Sequence, residues 1–177
     1  MTREIVQVNR APVLTLWAAV VAEQLGYDHD AALSLGKALA GLNAQSKGRR
    51  LGIYRVPERV EGGPPKKARP KEVLWVELLG RHVPATTTEQ GIRAVEEDRP
   101  VNPQGVERYL EGKFGEALES VRQAMEELAR VFKPAELAGL AFSLYTRFRP
   151  TVPEGMRGWG AKGELDLDRI RGLSAKT

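Results

Sequence analysis

The sequence predicts a mainly α fold with a small antiparallel β-hairpin or sheet, an α+β arrangement around a bundle-like core of about five to six helices. Three observations lead there. Apolar residues recur at steps of three and four along residues 103–132. Residues 12–25 are apolar on nearly every side. Two short runs rich in β-branched and aromatic residues, 51–56 and 73–79, flank a stretch dense in proline and glycine. A chain of 177 residues is long enough to bury a core as one domain, and 42% apolar with 28% charged residues argues against global disorder.

Taken in order, Ile5, Val6 and Val8 suit a short first strand. Pro12 fits the first turn of a helix, where its missing N–H costs nothing. That helix, about 12–25, carries Val13, Leu14, Leu16, Trp17, Val20, Val21 and Leu25 and has no polar face. It therefore belongs at the centre of a core or in a homodimer interface. Gly26 and Tyr27 interrupt it, and Asp28 is placed to cap a second helix over 29–43 with Ala32, Leu35, Leu39 and Leu42 as its buried stripe. The runs 51–56 and 73–79 then make a hairpin, 51–79. Its tip, 57–71, holds Gly62-Gly63-Pro64-Pro65 and Pro70 and is expected to be mobile. Thr86-Thr87-Thr88-Glu89 matches a capping box and predicts a helix over 87–97, ended by Arg99-Pro100. Asn102-Pro103 offers N-cap and N1 for the longest helix, 103–132, whose stripe is Leu110, Phe114, Leu118, Val121, Met125, Leu128 and Phe132. Beyond Pro134, the residues Leu137, Leu140, Ala141, Leu144, Tyr145 and Phe148 define another amphipathic helix. Residues 1–149 are thus read as one helical domain, and 150–177 as a Pro/Gly-rich tail with a short helix from just after Asp166 to about residue 173.

Charge is concentrated in one place. Residues 45–71 hold Lys47, Arg49, Arg50, Arg55, Arg59, Lys66, Lys67, Arg69 and Lys71 against Glu58 and Glu61, a balance of +7 in a chain whose total is +4. Such a field points to an anionic partner. Nucleic acid is the leading expectation, held non-specifically through backbone phosphates, which require only cations within reach. Tyr54 and Trp75 are the aromatics near this segment. Residues 72–133 carry −4, which supports an alternative expectation. In that case the chain is an interaction or self-assembly module that uses apolar helices and charge-complementary faces.

Other patterns are weaker. The helix–glycine–helix at 12–43, followed by a hairpin, resembles the helix-turn-helix of winged-helix proteins. Its second helix, however, offers base edges only His29, Asp30, Ser34, Lys37 and Asn43. Gly158-Trp159-Gly160-Ala161-Lys162-Gly163 spells a dinucleotide fingerprint without the strand before it or the acid some twenty residues after it. The absence of cysteine excludes disulfides and thiol catalysis and suits a reducing compartment. His29 and His82 have no ligand-spaced partners, and Ser34, Ser46, Ser120 and Ser143 lack a nucleophile-elbow context. No catalytic residue, metal site or cofactor is expected. An enzymatic role would need Arg49, Arg50 and Arg157 to gather around a substrate anion. No apolar run reaches membrane-spanning length, and the first residues do not form a leader pattern, so a cytoplasmic protein is expected.

Overall fold

The computed structural model describes residues 5–50, 74–96, 99–151 and 162–175, with the backbone alone described at 43–50, 162 and 175. The expectations for the strand at 51–56 and the tip at 57–71 lie outside the described residues. The chain runs through β1 (Ile5–Asn9), α1 (Arg10–Gln24), α2 (His29–Arg50), β2 (Leu74–Leu78), β3 (Arg81–Thr88), β4 (Gly91–Glu96) and β5 (Arg99–Pro100). It continues through α3 (Pro103–Phe114), a 3₁₀ turn (Gly115–Ala117), α4 (Leu118–Arg130), α5 (Pro134–Phe148), β6 (Lys162–Asp166) and α6 (Leu167–Ala175). Two antiparallel sheets, β1-β6 and β2-β3-β4-β5, accompany the helical core, so the expected mainly α, α+β architecture is the one observed. Among the described residues no helix is long and apolar enough to cross a membrane.

The apolar character of α1 follows from its position. Val13, Leu14, Leu16, Trp17, Val20 and Val21 are all at most 3% exposed, because α2, α3, α4, α5 and β1 all pack against the helix. α1 is therefore the centre of its own core and has no face left for a second copy. Burying each such side chain fully contributes about 1.5–3 kcal/mol relative to leaving it in water. Trp17 also donates its indole N–H to the Ala141 carbonyl of α5 at 2.9 Å and meets Phe148 edge-on at 5.3 Å. The Tyr145 hydroxyl donates to the Arg10 carbonyl at 3.4 Å, and burial pushes its pKa up to about 12, so it stays protonated.

α1 and α2 form a helical hairpin through Gly26, whose φ of +112° turns the chain. Asp28 caps α2 as expected, its carboxylate accepting from the Ala31 N–H at 2.8 Å. The two helices touch backbone to backbone at Gly36. A Cβ added there would stand 2.5 Å from the Thr15 carbonyl oxygen and 3.1 Å from the Ala19 nitrogen. Ser34 fastens α2 to the sheet. Its buried hydroxyl donates to the Ala31 carbonyl at 2.8 Å and accepts from the Ala94 N–H of β4 at 2.9 Å.

Several expectations are corrected. Residues 87–97 do not form a helix; β3 and β4 make a hairpin paired from Ala85↔Ala94 to Thr88↔Gly91. Thr88 does bind a backbone N–H, but that of Gln90 at 3.2 Å, while its own hydroxyl donates to the Gly91 carbonyl at 2.7 Å. The side-chain chemistry that resembles a helix cap closes a two-residue turn, and Gly91 (φ +118°) with the β-branched threonines tips the balance to strand. The long helix over 103–132 is broken at Gly115 (φ +59°) into α3 and α4. Its stripe nonetheless stays buried from Leu110 through Leu128, so the periodicity passes through the break unaltered. Asn102 caps α3 as expected, accepting from the Gln104 N–H at 3.0 Å. α2 continues as helix past residue 43 to Arg50.

The strand partner of β1 comes from beyond residue 150: β6 pairs with it from Ile5↔Asp166 to Asn9↔Lys162. Gly163 lies against the Thr151 carbonyl, where a Cβ would approach to 2.7 Å. This glycine thus sits in an antiparallel strand and does not open a helix, while Gly158 and Gly160 lie outside the described residues. Leu165, Leu167 and Ile170 are buried in the common core, and α6 packs on α4.

Two substitutions test this account. Gly36→Ala forces α1 and α2 apart against backbone atoms and should cost about 1–3 kcal/mol in urea unfolding; wild-type stability would refute the close contact. Ser34→Ala removes the acceptor of a buried N–H and should cost about 1–3 kcal/mol. Amide exchange at Ala94 should accelerate with it, and an unchanged exchange rate would exclude the tie between α2 and β4.

Candidate functional site

Along α2, residues 31–40 are buried except Lys37, which is half exposed where the helix passes the end of β4. Lys37 Nζ lies 3.1 Å from Glu96 Oε1. One turn further on, Gly41 makes room for this pair, since a Cβ there would stand 2.7 Å from Glu96 Oε2. The pair divides an open cleft. On one side, a hollow of about 640 Å³ is walled by Lys37 and Glu96, by Arg99 of β5, and by Asn102, Val106 and Tyr109 at the start of α3. On the other side, about 400 Å³ is bounded by Lys37, Gly41, Leu42, Pro84, Val95 and Glu96. Four elements, α2, β4, β5 and α3, thus bring two cations, a carboxylate and a phenol to one groove. Burial raises the pKa of Tyr109, so its hydroxyl remains a neutral donor.

The groove borders the sheet at Pro84. Pro84 is directly opposite Trp75 in the β2–β3 register, and opposed residues of an antiparallel pair project from the same face. Trp75 is 46% exposed, while Trp17 is fully buried. The groove offers cations, hydrogen-bond donors and acceptors, and aromatic surface, with no serine or histidine among the groove-lining residues named above.

A second polar cluster ties elements together. His29 lies between Glu23 of α1, 2.8 Å from Nδ1, and Glu107 of α3, 3.5 Å from Nε2. Glu107 also receives Arg122 of α4 at 3.3 Å. The two carboxylates address opposite nitrogens of the ring and do not converge on one point, and among the described residues no three acids or histidines could hold a metal ion. Arg93, nearly buried, donates to the Ile92 carbonyl at 2.9 Å and reaches Asp30 at 3.8 Å. Glu111, Glu116, Glu119 and Glu127 are exposed, while Glu107 and Glu126 are partly buried.

Of the residues singled out from sequence, Lys47, Arg49 and Arg50 lie on the last turns of α2, and their side chains are outside the described set. Arg55, Arg59, Lys66, Lys67, Arg69 and Lys71 lie outside the described residues, as do Arg157 and Trp159. The winged-helix resemblance does not carry over to α2, because the helix that should enter a groove is packed against α1 and β4. Sequence reasoning missed the grouping of Lys37, Glu96, Arg99 and Tyr109. One signal was present: Lys37 is the single charged residue in the stretch 31–42. No protein-family model matches this chain, and neither a curated protein nor a solved structure matches it.

Gly41→Ala contrasts with Gly36→Ala. The atom it meets is the end of a flexible side chain, so the Glu96 carboxylate should swing away from Lys37. A half-exposed pair of this kind is worth about 0–1 kcal/mol, so unfolding free energy should change by no more than that. A loss as large as that of Gly36→Ala would show that the groove is part of the packed core.

Proposed function

We propose that the chain binds nucleic acid through its phosphate backbone, with the basic segment 45–71 as the principal contact. One observation carries this reading: a balance of +7 is confined to that segment in a chain of net charge +4. The segment is tethered on one side by α2, whose residues 31–40 are held in the core, and on the other by β2, whose Val76 and Leu78 are buried. Cations on such a tether gather phosphates without a base code, which agrees with the burial of α2 residues 31–40 other than Lys37. A chain without cysteine is compatible with a reducing compartment such as the cytoplasm.

Fluorescence anisotropy with labelled DNA and RNA tests the reading. If four to six phosphates are neutralised, affinity should fall about 10²- to 10³-fold between 50 and 200 mM salt. Replacing Lys66, Lys67, Arg69 and Lys71 by Ser should flatten that slope. Absence of binding at low salt, or an unchanged slope in the variant, would remove the proposal.

A second reading, self-assembly, is supported by α5, which turns Leu140 (42% exposed) and Phe142 (39%) outward, and by the exposed acids Glu111, Glu116, Glu119 and Glu127 of the 103–130 stretch. Sedimentation across salt separates its two forms. Association that weakens with salt indicates basic segments docked on acidic helices, and association that persists indicates the α5 face.

A further inference from the structure

We infer that the groove from Tyr109 past Lys37 to Trp75 seats unpaired nucleobases, so that the preferred polymer is a single strand. This rests on the nucleic-acid reading above and goes beyond it in assigning a separate site for the bases. An indole left nearly half in water on a sheet face forgoes burial that Trp17 obtains in full. Across the strand pair it is continued by Pro84, a second flat apolar surface, and Pro84 already belongs to the wall of the groove with Gly41 and Lys37. Base stacking on exposed aromatic side chains beside cations is the general means of holding a single strand, because every base has a π-face.

The remaining groups fit the same ligand. Arg99 and Lys37 stand where phosphates flanking a seated base would run. Glu96, already paired with Lys37, keeps acceptor capacity for a base N–H such as the N3–H of thymine, and Tyr109 offers a ring and a hydroxyl at the far end. A duplex cannot use this surface, since its bases are stacked on one another and only its phosphates reach a protein side wall. Lys71 precedes Trp75 closely in sequence, so a strand drawn to the basic segment arrives beside the indole.

The test compares labelled oligo(dT) with a duplex of equal length, using the full chain and the variants Trp75→Ala, Trp75→Phe and Arg99→Ala. Trp75→Ala should weaken oligo(dT) binding about five- to a hundredfold and leave duplex binding and the salt slope unchanged. Trp75→Phe should keep most of the affinity, and Arg99→Ala should weaken the single strand several-fold. Intrinsic fluorescence should be quenched by oligo(dT) in wild type and much less so in Trp75→Ala. Both positions are exposed, so unfolding curves should match wild type. Equal affinity of wild type and Trp75→Ala for oligo(dT), with the Ser variant of the basic segment still losing binding, would overturn the base seat and leave the phosphate reading intact. Absence of binding to either polymer by wild type would overturn both.

Discussion

Between Pro12 and Ala22, α1 has one polar side chain, Thr15, and its hydroxyl is already engaged with the Ala11 carbonyl at 2.9 Å. A helix of this kind can be stable in water only when it is enclosed, because burial of its sides is the main favourable term and its backbone is satisfied internally. The other elements are arranged by that requirement. α2 comes closest because Gly36 lets the two backbones meet, and small residues at Ala18, Ala19 and Ala22 lie along the same helix. α4 and α5 cover the remaining sides with Val121, Met125, Leu137 and Tyr145, and the indole N–H of Trp17, the one polar atom a tryptophan must satisfy, reaches across to α5.

Once α2 is fixed against α1, its opposite side has to receive the sheet, and this is where polar chemistry enters. Ser34 takes the N–H of Ala94, Asp30 approaches Arg93, and Lys37 takes Glu96. The Ser34 contact is fully buried, and the charged contacts on either side of it along the helix are partly exposed, Asp30 at 50% and Lys37 at 40%. At Ser34 a lost partner leaves a buried donor stranded, which is costly. The Lys37–Glu96 pair is solvated and worth little to stability. The groove lies at this pair, so its residues can be changed with small consequence for the fold.

How much of this was legible in the sequence depends on the range of the interaction. Local signals held: Asp28 and Asn102 cap the helices they were assigned, and the stripe from Leu110 to Leu128 is buried throughout. The all-round apolarity of 12–25 left two readings open, core or dimer interface, and packing on all sides selects the core. The failures came where one local pattern serves two structures. A threonine hydroxyl two residues before a free N–H can start a helix or close a hairpin, and Thr88 does the second because Gly91 and its neighbours favour extended backbone. The step of four from Phe114 to Leu118 is the same across a 3₁₀ turn as within an α-helix, so Gly115 was invisible to it. The pairing of β1 with β6 joins residues some 150 positions apart in sequence and leaves no local trace.

The candidate groove was illegible for the same reason: its cations, acid and phenol come from α2, β4–β5 and α3, and only the fold makes them neighbours. The basic segment, by contrast, is a property of composition and was legible at once. In the proposed function these two features divide the work of holding a polymer. Long-range attraction needs many charges and little geometry, and a tethered basic segment supplies it over about a Debye length, roughly 8 Å at physiological salt. Discrimination needs fixed surfaces, and Trp75, Pro84 and Lys37 are fixed by strand register and by a helix anchored in the core. A charge that attracts every anion gains selectivity only if what it delivers must then fit something rigid, and in the proposed reading that surface begins at β2, which follows the basic segment in sequence.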